Sequence, residues 1–157
     1  NWSATPQDLS QRLALEKACA VSQRHRGALV IGCDQVLALG GEIYDKPGTV
    51  ERARQQLETL RGREHCLISA VSIVRDGEQL WSFSDQAVLV MRDFSNAFLE
   101  DYLQQVGNDV ANSVGAYHLE GLGAQLFDRV DGDFFTVLDL PLIDVLGFLR
   151  SHGALIE

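Results

Sequence analysis

The chain has 157 residues, with 13 Lys+Arg against 22 Asp+Glu and a formal net charge of −9. That is one domain's length, and such a chain buries about 68–70% of its unfolded surface, enough for a core without disulfides or metal staples. A hydrophobic content of 46% argues against disorder, and the acidic balance argues against coating nucleic acid or docking on anionic membranes. No stretch approaches the roughly 18 apolar residues of a membrane span. The start, Asn1 to Pro6, lacks the basic and apolar regions of an export signal. Cys19, Cys33 and Cys66 are odd in number and widely spaced. They read as free thiols in a reducing cytoplasm, without zinc-ligand spacing.

Thr5-Pro6 is an N-cap followed by proline at the first helical position. Leu9, Leu13, Ala14, Ala18 and Val21 then recur at helical spacing up to about Arg26-Gly27. Ala28 to Ile31 is a short buried strand ending in Gly32-Cys33-Asp34-Gln35. A second apolar run, Val36 to Leu39, meets the hairpin signal Gly40-Gly41. Asp45-Lys46-Pro47-Gly48 breaks the chain, and Thr49 caps a helix to about Leu60. His65 to Val74 and Gln79 to Met91 are strands joined by the turn Asp76-Gly77, the second with room for a bulge. Ser95 starts a helix with Phe98, Leu99, Tyr102 and Val106 on its apolar stripe. Residues 107 to 133 are Gly-rich and irregular, and Pro141 opens a final helix through Leu149. The order of elements reads as α/β with a mixed sheet.

Three features could carry chemistry. Asp34 sits just past a buried strand's carboxyl end, where ligands collect in α/β sheets; it could hold Mg²⁺ or polarise water, or be an ordinary turn residue. Lys17 and Lys46 are the only lysines among thirteen basic residues. Lysine is a compact point charge suited to phosphate oxygens, although a composition bias would also leave two. Glu120, between His-Leu and Gly-Leu-Gly, could accept hydrogen bonds from a base edge or be a solvated turn acid. The common phosphate-loop, dinucleotide and serine-hydrolase signatures do not occur.

Several segments, taken in order, resemble the Maf family of nucleoside triphosphate pyrophosphatases. Leu15-Glu16-Lys17-Ala18 is similar to the family's helical "EKA". Val30 to Val36 resembles its "IGxD" strand, and Gly41 to Pro47 its "GxIxxKP". Ala53 to His65, Gly115 to Gly121, Asp131-Gly132-Asp133 and Leu140-Pro141-Leu142 continue the match. The resemblance implies a twisted mixed β-sheet flanked by helices, with two lobes and a central cleft. It implies one Maf-like domain over residues 1–157, without a counterpart before residue 11 of the family's N-terminal strand and "SxSxRR" phosphate loop.

The implied reaction cleaves a nucleotide between its α and β phosphates, giving a monophosphate and pyrophosphate with Mg²⁺, Mn²⁺ or Co²⁺. The resemblance makes Asp34 the catalytic and metal-binding residue, and Lys17 and Lys46 the phosphate-binding ones. Gln35 and Glu120 look like the 7-methyl-GTP branch, where a carboxylate can accept from guanine N–H groups. Gly115-Ala116-Tyr117 looks more like the dTTP/UTP branch. The expected partner is a nucleoside triphosphate, with neither nucleic acid nor membrane; a homodimer is compatible with the sequence. A non-catalytic regulator linked to cell division is the competing class, favoured by the absent loop motif and disfavoured by Asp34, Lys17 and Lys46. An RNA-binding module conflicts with the −9 charge.

Overall fold

The structure is a computed structural model and describes residues 5–156. The reading of residues 1–4 as free of an export signal lies outside them. The chain divides into two compact units. One holds the described residues up to Gln35, Ile68–Gln86 and those from Asp133; the other holds Val36–Leu67 and Ala87–Gly132. A five-stranded sheet runs in the order β2-β1-β3-β4-β5, with β1 at Val30–Leu39, β2 at Glu42–Tyr44, β3 at Glu64–Arg75, β4 at Glu78–Met91 and β5 at Phe127–Asp131. Among the described residues, no helix is long and apolar enough to cross a membrane.

Local chemistry sets the element ends. Helix α1, Pro6–Ser22, starts in a capping box: Thr5 accepts from the Asp8 amide while the Asp8 carboxylate accepts from Thr5. Helix α2, Val50–Leu60, is capped by the Thr49 side chain, and α3, Asn96–Val106, by Ser95. The two hairpins close through residue pairs with positive φ, Gly40-Gly41 and Asp76-Gly77, as two-residue turns of the type I′ kind require. Strand β1 pairs antiparallel with β2, and β4 antiparallel with β5. The β4 bulge falls between Val90 and Met91.

The structure corrects three expectations. The two apolar runs between residues 28 and 39 form one unbroken strand, β1. Gly32 marks a close approach rather than a turn: a Cβ there would run into the Ala14 carbonyl and Ala18 of α1. Helix α1 stops at Ser22, and Val21 is 46% exposed, so Ser10, Ala14, Ala18 and Ser22 make its buried face. The irregular stretch contains β5, Phe-Asp-Arg-Val-Asp, which pairs antiparallel with β4.

In the first unit, Ala18 meets Val30 and Val74, with Leu15 and Cys19 against them. A second cluster joins Val71 and Ile73 of β3 to Val145 of α5, Leu142–Ser151, beside Leu29, Trp81, Phe83 and Phe148. Each large apolar side chain so buried contributes about 1.5–3 kcal/mol. In the second unit, α2 buries Ala53, Leu57 and Leu60 and packs on the 3-10 turns Gly107–Asn112 and Val114–Ala116. The guanidinium of Arg61 lies over the Phe94 ring, and that of Arg92 over Phe98.

Candidate active site

Helix α1 and strand β1 meet so closely at Gly32 that Lys17 reaches the strand directly. Its Nζ lies 2.6 Å from Asp34 Oδ1 and donates to the Cys33 carbonyl at 2.9 Å. The Lys17 side chain keeps 56% of its surface exposed, whereas that of Asp34 keeps 13%. Burial alone would lower the Lys17 pKa; the hydrogen bond and charge of Asp34, with the charge of Asp139, hold it above its ordinary value. The lysine is therefore charged at neutral pH. This is an ion pair with a reachable ammonium, the arrangement that presents a positive charge to a phosphate.

Asp34 stands in the middle of β1 rather than past a strand end. The expectation rested on reading Gly32 to Gln35 as a turn, and the strand runs through it because Gly32 lets α1 approach. Beside it, the Cys33 thiol sits 3.9 Å from Asp139 Oδ2. Burial and the Asp139 carboxylate push that thiol up, so it stays protonated and is no nucleophile.

Gln35 is held by a polar lattice within the first unit. Its Nε2 donates to Ser69 Oγ at 2.8 Å and to the carbonyls of Thr136 and Val137, both at 3.1 Å. Ser69 Oγ donates to the same Thr136 carbonyl at 2.7 Å, and Thr136 Oγ1 donates to Asp85 Oδ2 at 2.9 Å. Both amide protons of Gln35 are thereby engaged, which leaves Oε1 as its contact atom for a ligand. The two carbonyl acceptors belong to α4, Phe134–Val137, capped by the Asp133 side chain on the Thr136 amide.

The structure thus brings Lys17 and Asp34 together in the first unit, where Gln35, the next residue on β1, is turned to Ser69 and α4 instead, while Lys46 and Glu120 belong to the second unit. Lys46 is exposed and lines a cavity of about 370 Å³ with Tyr44, Arg52, Gln55 and Gln56. The Asp45 carbonyl accepts from Gln56 Nε2 at 2.7 Å, fixing this segment on α2. Glu120 is exposed, with Oε1 3.7 Å from His118 Nδ1.

Asp139 was not anticipated. An Asp two residues before Pro141 carries no pattern from which a functional role could be read, and its backbone, at φ 84°, is not visible in sequence. Nor did any spacing indicate the Ser69 and Thr136 struts.

Among the described residues, no group of three or more His, Cys, Asp and Glu side chains gathers to hold a metal. Asp34 offers hard carboxylate oxygens, the donor type that Mg²⁺ takes. This donor set fits a cation that shares its coordination with phosphate oxygens and waters, not one caged by protein alone.

Comparison with known proteins agrees with the resemblance read from the motifs. The family described as Maf-like protein matches residues 2–152. A 7-methyl-GTP pyrophosphatase of Brucella abortus is 49% identical over 149 residues, covering 95% of this chain and 75% of the relative. A nucleoside triphosphate pyrophosphatase of Paramagnetospirillum magneticum is 52% identical over 151 residues, covering 96% and 78%. A 7-methyl-GTP pyrophosphatase of Bartonella quintana is 47% identical, covering 98% and 77%. On a match of this extent, joined to the ion pair of Lys17 and Asp34, the chain belongs to the Maf family.

Proposed function

We propose that the chain is a nucleoside triphosphate pyrophosphatase, converting a nucleoside triphosphate and water into the monophosphate and pyrophosphate. The observation that carries this is the 2.6 Å pair of Lys17 and Asp34, with the ammonium reachable and the carboxylate mostly covered, in a chain about half identical to proteins so named. Water oxygen attacks the α phosphorus, the bond to the bridging oxygen breaks, and pyrophosphate leaves. Asp34 orients the water and accepts its proton. Lys17 donates toward phosphoryl oxygens, countering the charge that builds during the displacement.

Asp34 would also hold the divalent cation, Mg²⁺, Mn²⁺ or Co²⁺; when bound, such an ion draws charge from the phosphate oxygens. Lys46 is assigned to a phosphate oxygen and Glu120 to the base edge on the family resemblance. Gln35, with its amide protons engaged, would accept from a base N–H through Oε1. A carboxylate and a carbonyl oxygen are both acceptors, which favours the N1–H and N2–H₂ edge of 7-methyl-GTP over dTTP or UTP. Three free thiols suit a reducing cytoplasm.

The test is pyrophosphate release from 7-methyl-GTP, GTP, dTTP and UTP with Mg²⁺. Asp34→Asn should lower kcat by about 10²–10⁴-fold, the usual worth of a general base. Preference for dTTP or UTP would move the chain to the other branch. No release from any of the four, with nucleotide still bound, would favour the regulator.

A further inference from the structure

The segment that carries Glu120 is fastened to the core of the second unit by Tyr117, three residues before it. Tyr117 is 4% exposed, and its hydroxyl lies 2.8 Å from Nε2 of His65 on β3. Nδ1 of that imidazole is buried without a partner, so among the described residues the Tyr117 hydroxyl is its one hydrogen-bond tie. The ring also fills the space over Gly115, where a Cβ would run into it. The main chain just before the ring is left-handed at two successive residues, Gly115 at φ 78° and Ala116 at φ 63°. Ala116 bears a Cβ, and such a residue keeps this conformation only where its surroundings impose it. Here the Tyr102 hydroxyl donates to the Ala116 carbonyl at 3.0 Å, and Ser113 Oγ donates to the Tyr117 carbonyl.

Beyond Tyr117 the chain closes a tight turn. The Gly121 N–H donates to the His118 carbonyl at 3.2 Å, and Gly123 packs so near that a Cβ there would run into the same carbonyl. Glu120 stands within this turn, its side chain 53% exposed and its Oε1 3.7 Å from His118 Nδ1. A side chain that reads a base edge must be held close to its productive geometry, and an exposed one takes that placement from its main chain. We propose that Tyr117, tied to His65, is a positioning residue for base recognition: the buried hydrogen bond fixes the turn 118–121 and with it the Glu120 carboxylate. This rests on the reading of Glu120 as the residue that meets the base edge. The role concerns how the nucleotide is held rather than bond cleavage, so it separates KM from kcat.

The experiment is a double-mutant cycle on Tyr117→Phe and Glu120→Gln, read with the nucleotide that the wild type hydrolyses fastest. Phenylalanine keeps the packed ring and removes the tie to His65. Tyr117→Phe should raise KM by about 3–10-fold, the usual effect of one hydrogen bond, with kcat near the wild type. Inhibition by tripolyphosphate, which has no base, should not change. In the Glu120→Gln background the same substitution should leave KM where Glu120→Gln alone puts it, because the two residues act as one unit. His65→Leu breaks the tie from the strand side and should shift KM in the same direction. A purely structural Tyr117 would lower Tm, weaken tripolyphosphate inhibition along with KM, and add its effect to that of Glu120→Gln. That result overturns the assignment, as does an unchanged KM in Tyr117→Phe or a loss confined to kcat. Wild-type KM in Glu120→Gln defeats the reading of Glu120, and the assignment with it. A wild type that binds nucleotide without releasing pyrophosphate defeats the pyrophosphatase reading alone, and the cycle is then read in the dissociation constant.

Discussion

The two units treat ionisable side chains in opposite ways. In the first, Lys17 pairs with Asp34 at 2.6 Å, and its side chain stays 56% exposed. In the second, His65 is 2% exposed and shares a 2.8 Å hydrogen bond between its Nε2 and the Tyr117 hydroxyl. Burial lowers the His65 pKa from 6.5 to about 4 and pushes that of Tyr117 well up. Phe127 meets the Tyr117 ring edge-on at 4.8 Å and tilts against His65. The larger perturbation thus lies in the unit where the groups are neutral and enclosed. A shifted pKa marks a functional group only when a ligand can reach it; Lys17 in the first unit is reachable, whereas His65 and Tyr117 form a packed polar joint in the second.

Lys17→Ala should sharpen the contrast most, lowering kcat/KM by about 10²–10³-fold, the worth of one group that stabilises developing charge. The same change should move stability by about 1 kcal/mol, since the lysine end of the pair is 56% exposed. Activity surviving the substitution would dissolve the distinction between the units. Acid should act on the other side. His65 is neutral when folded and protonates near pH 6.5 when unfolded, so unfolded chains bind the extra proton between pH 6.5 and about 4. Its contribution is flat above pH 6.5 and is lost as pH falls through that window, about 3 kcal/mol in all. Urea unfolding across the window should show this slope, and His65→Gln should lack that share of it. Gly32→Ala comes next: its Cβ would press on the Ala14 carbonyl and Ala18, costing about 1–3 kcal/mol by denaturation midpoint. Undiminished stability would mean that α1 and β1 can separate freely.

Much of this was legible in local chemistry. Thr5, Thr49 and Ser95 announce three helix starts because a cap needs only a hydroxyl at the right offset. Gly40-Gly41 and Asp76-Gly77 announce two hairpins because few residues accept positive φ. Lys17 and Asp34 were selected from sequence and do meet in space. The misreadings came where one residue type has two uses. Gly32 looked like a turn and is a contact surface for α1, so Asp34 seemed to end a strand that it occupies. Strand β5 escaped because its apolar residues, Phe127 and Val130, are three apart and charged residues fill the rest, so no period-2 alternation marks it. Asp139 escaped because its position depends on a backbone angle and on Cys33, which is 106 positions away in the chain.

The contact at Gly32 is made by main-chain atoms on both sides, apart from one alanine methyl. Peptide groups are the same in every residue, so the gap between helix and strand there does not depend on how large the neighbouring side chains are. Mutations that repack the rest of α1 can alter its stability without changing the reach from Lys17 to Asp34. The spacing of the pair is in this sense insulated from sequence drift around it, at the expense of one position that must remain without a side chain.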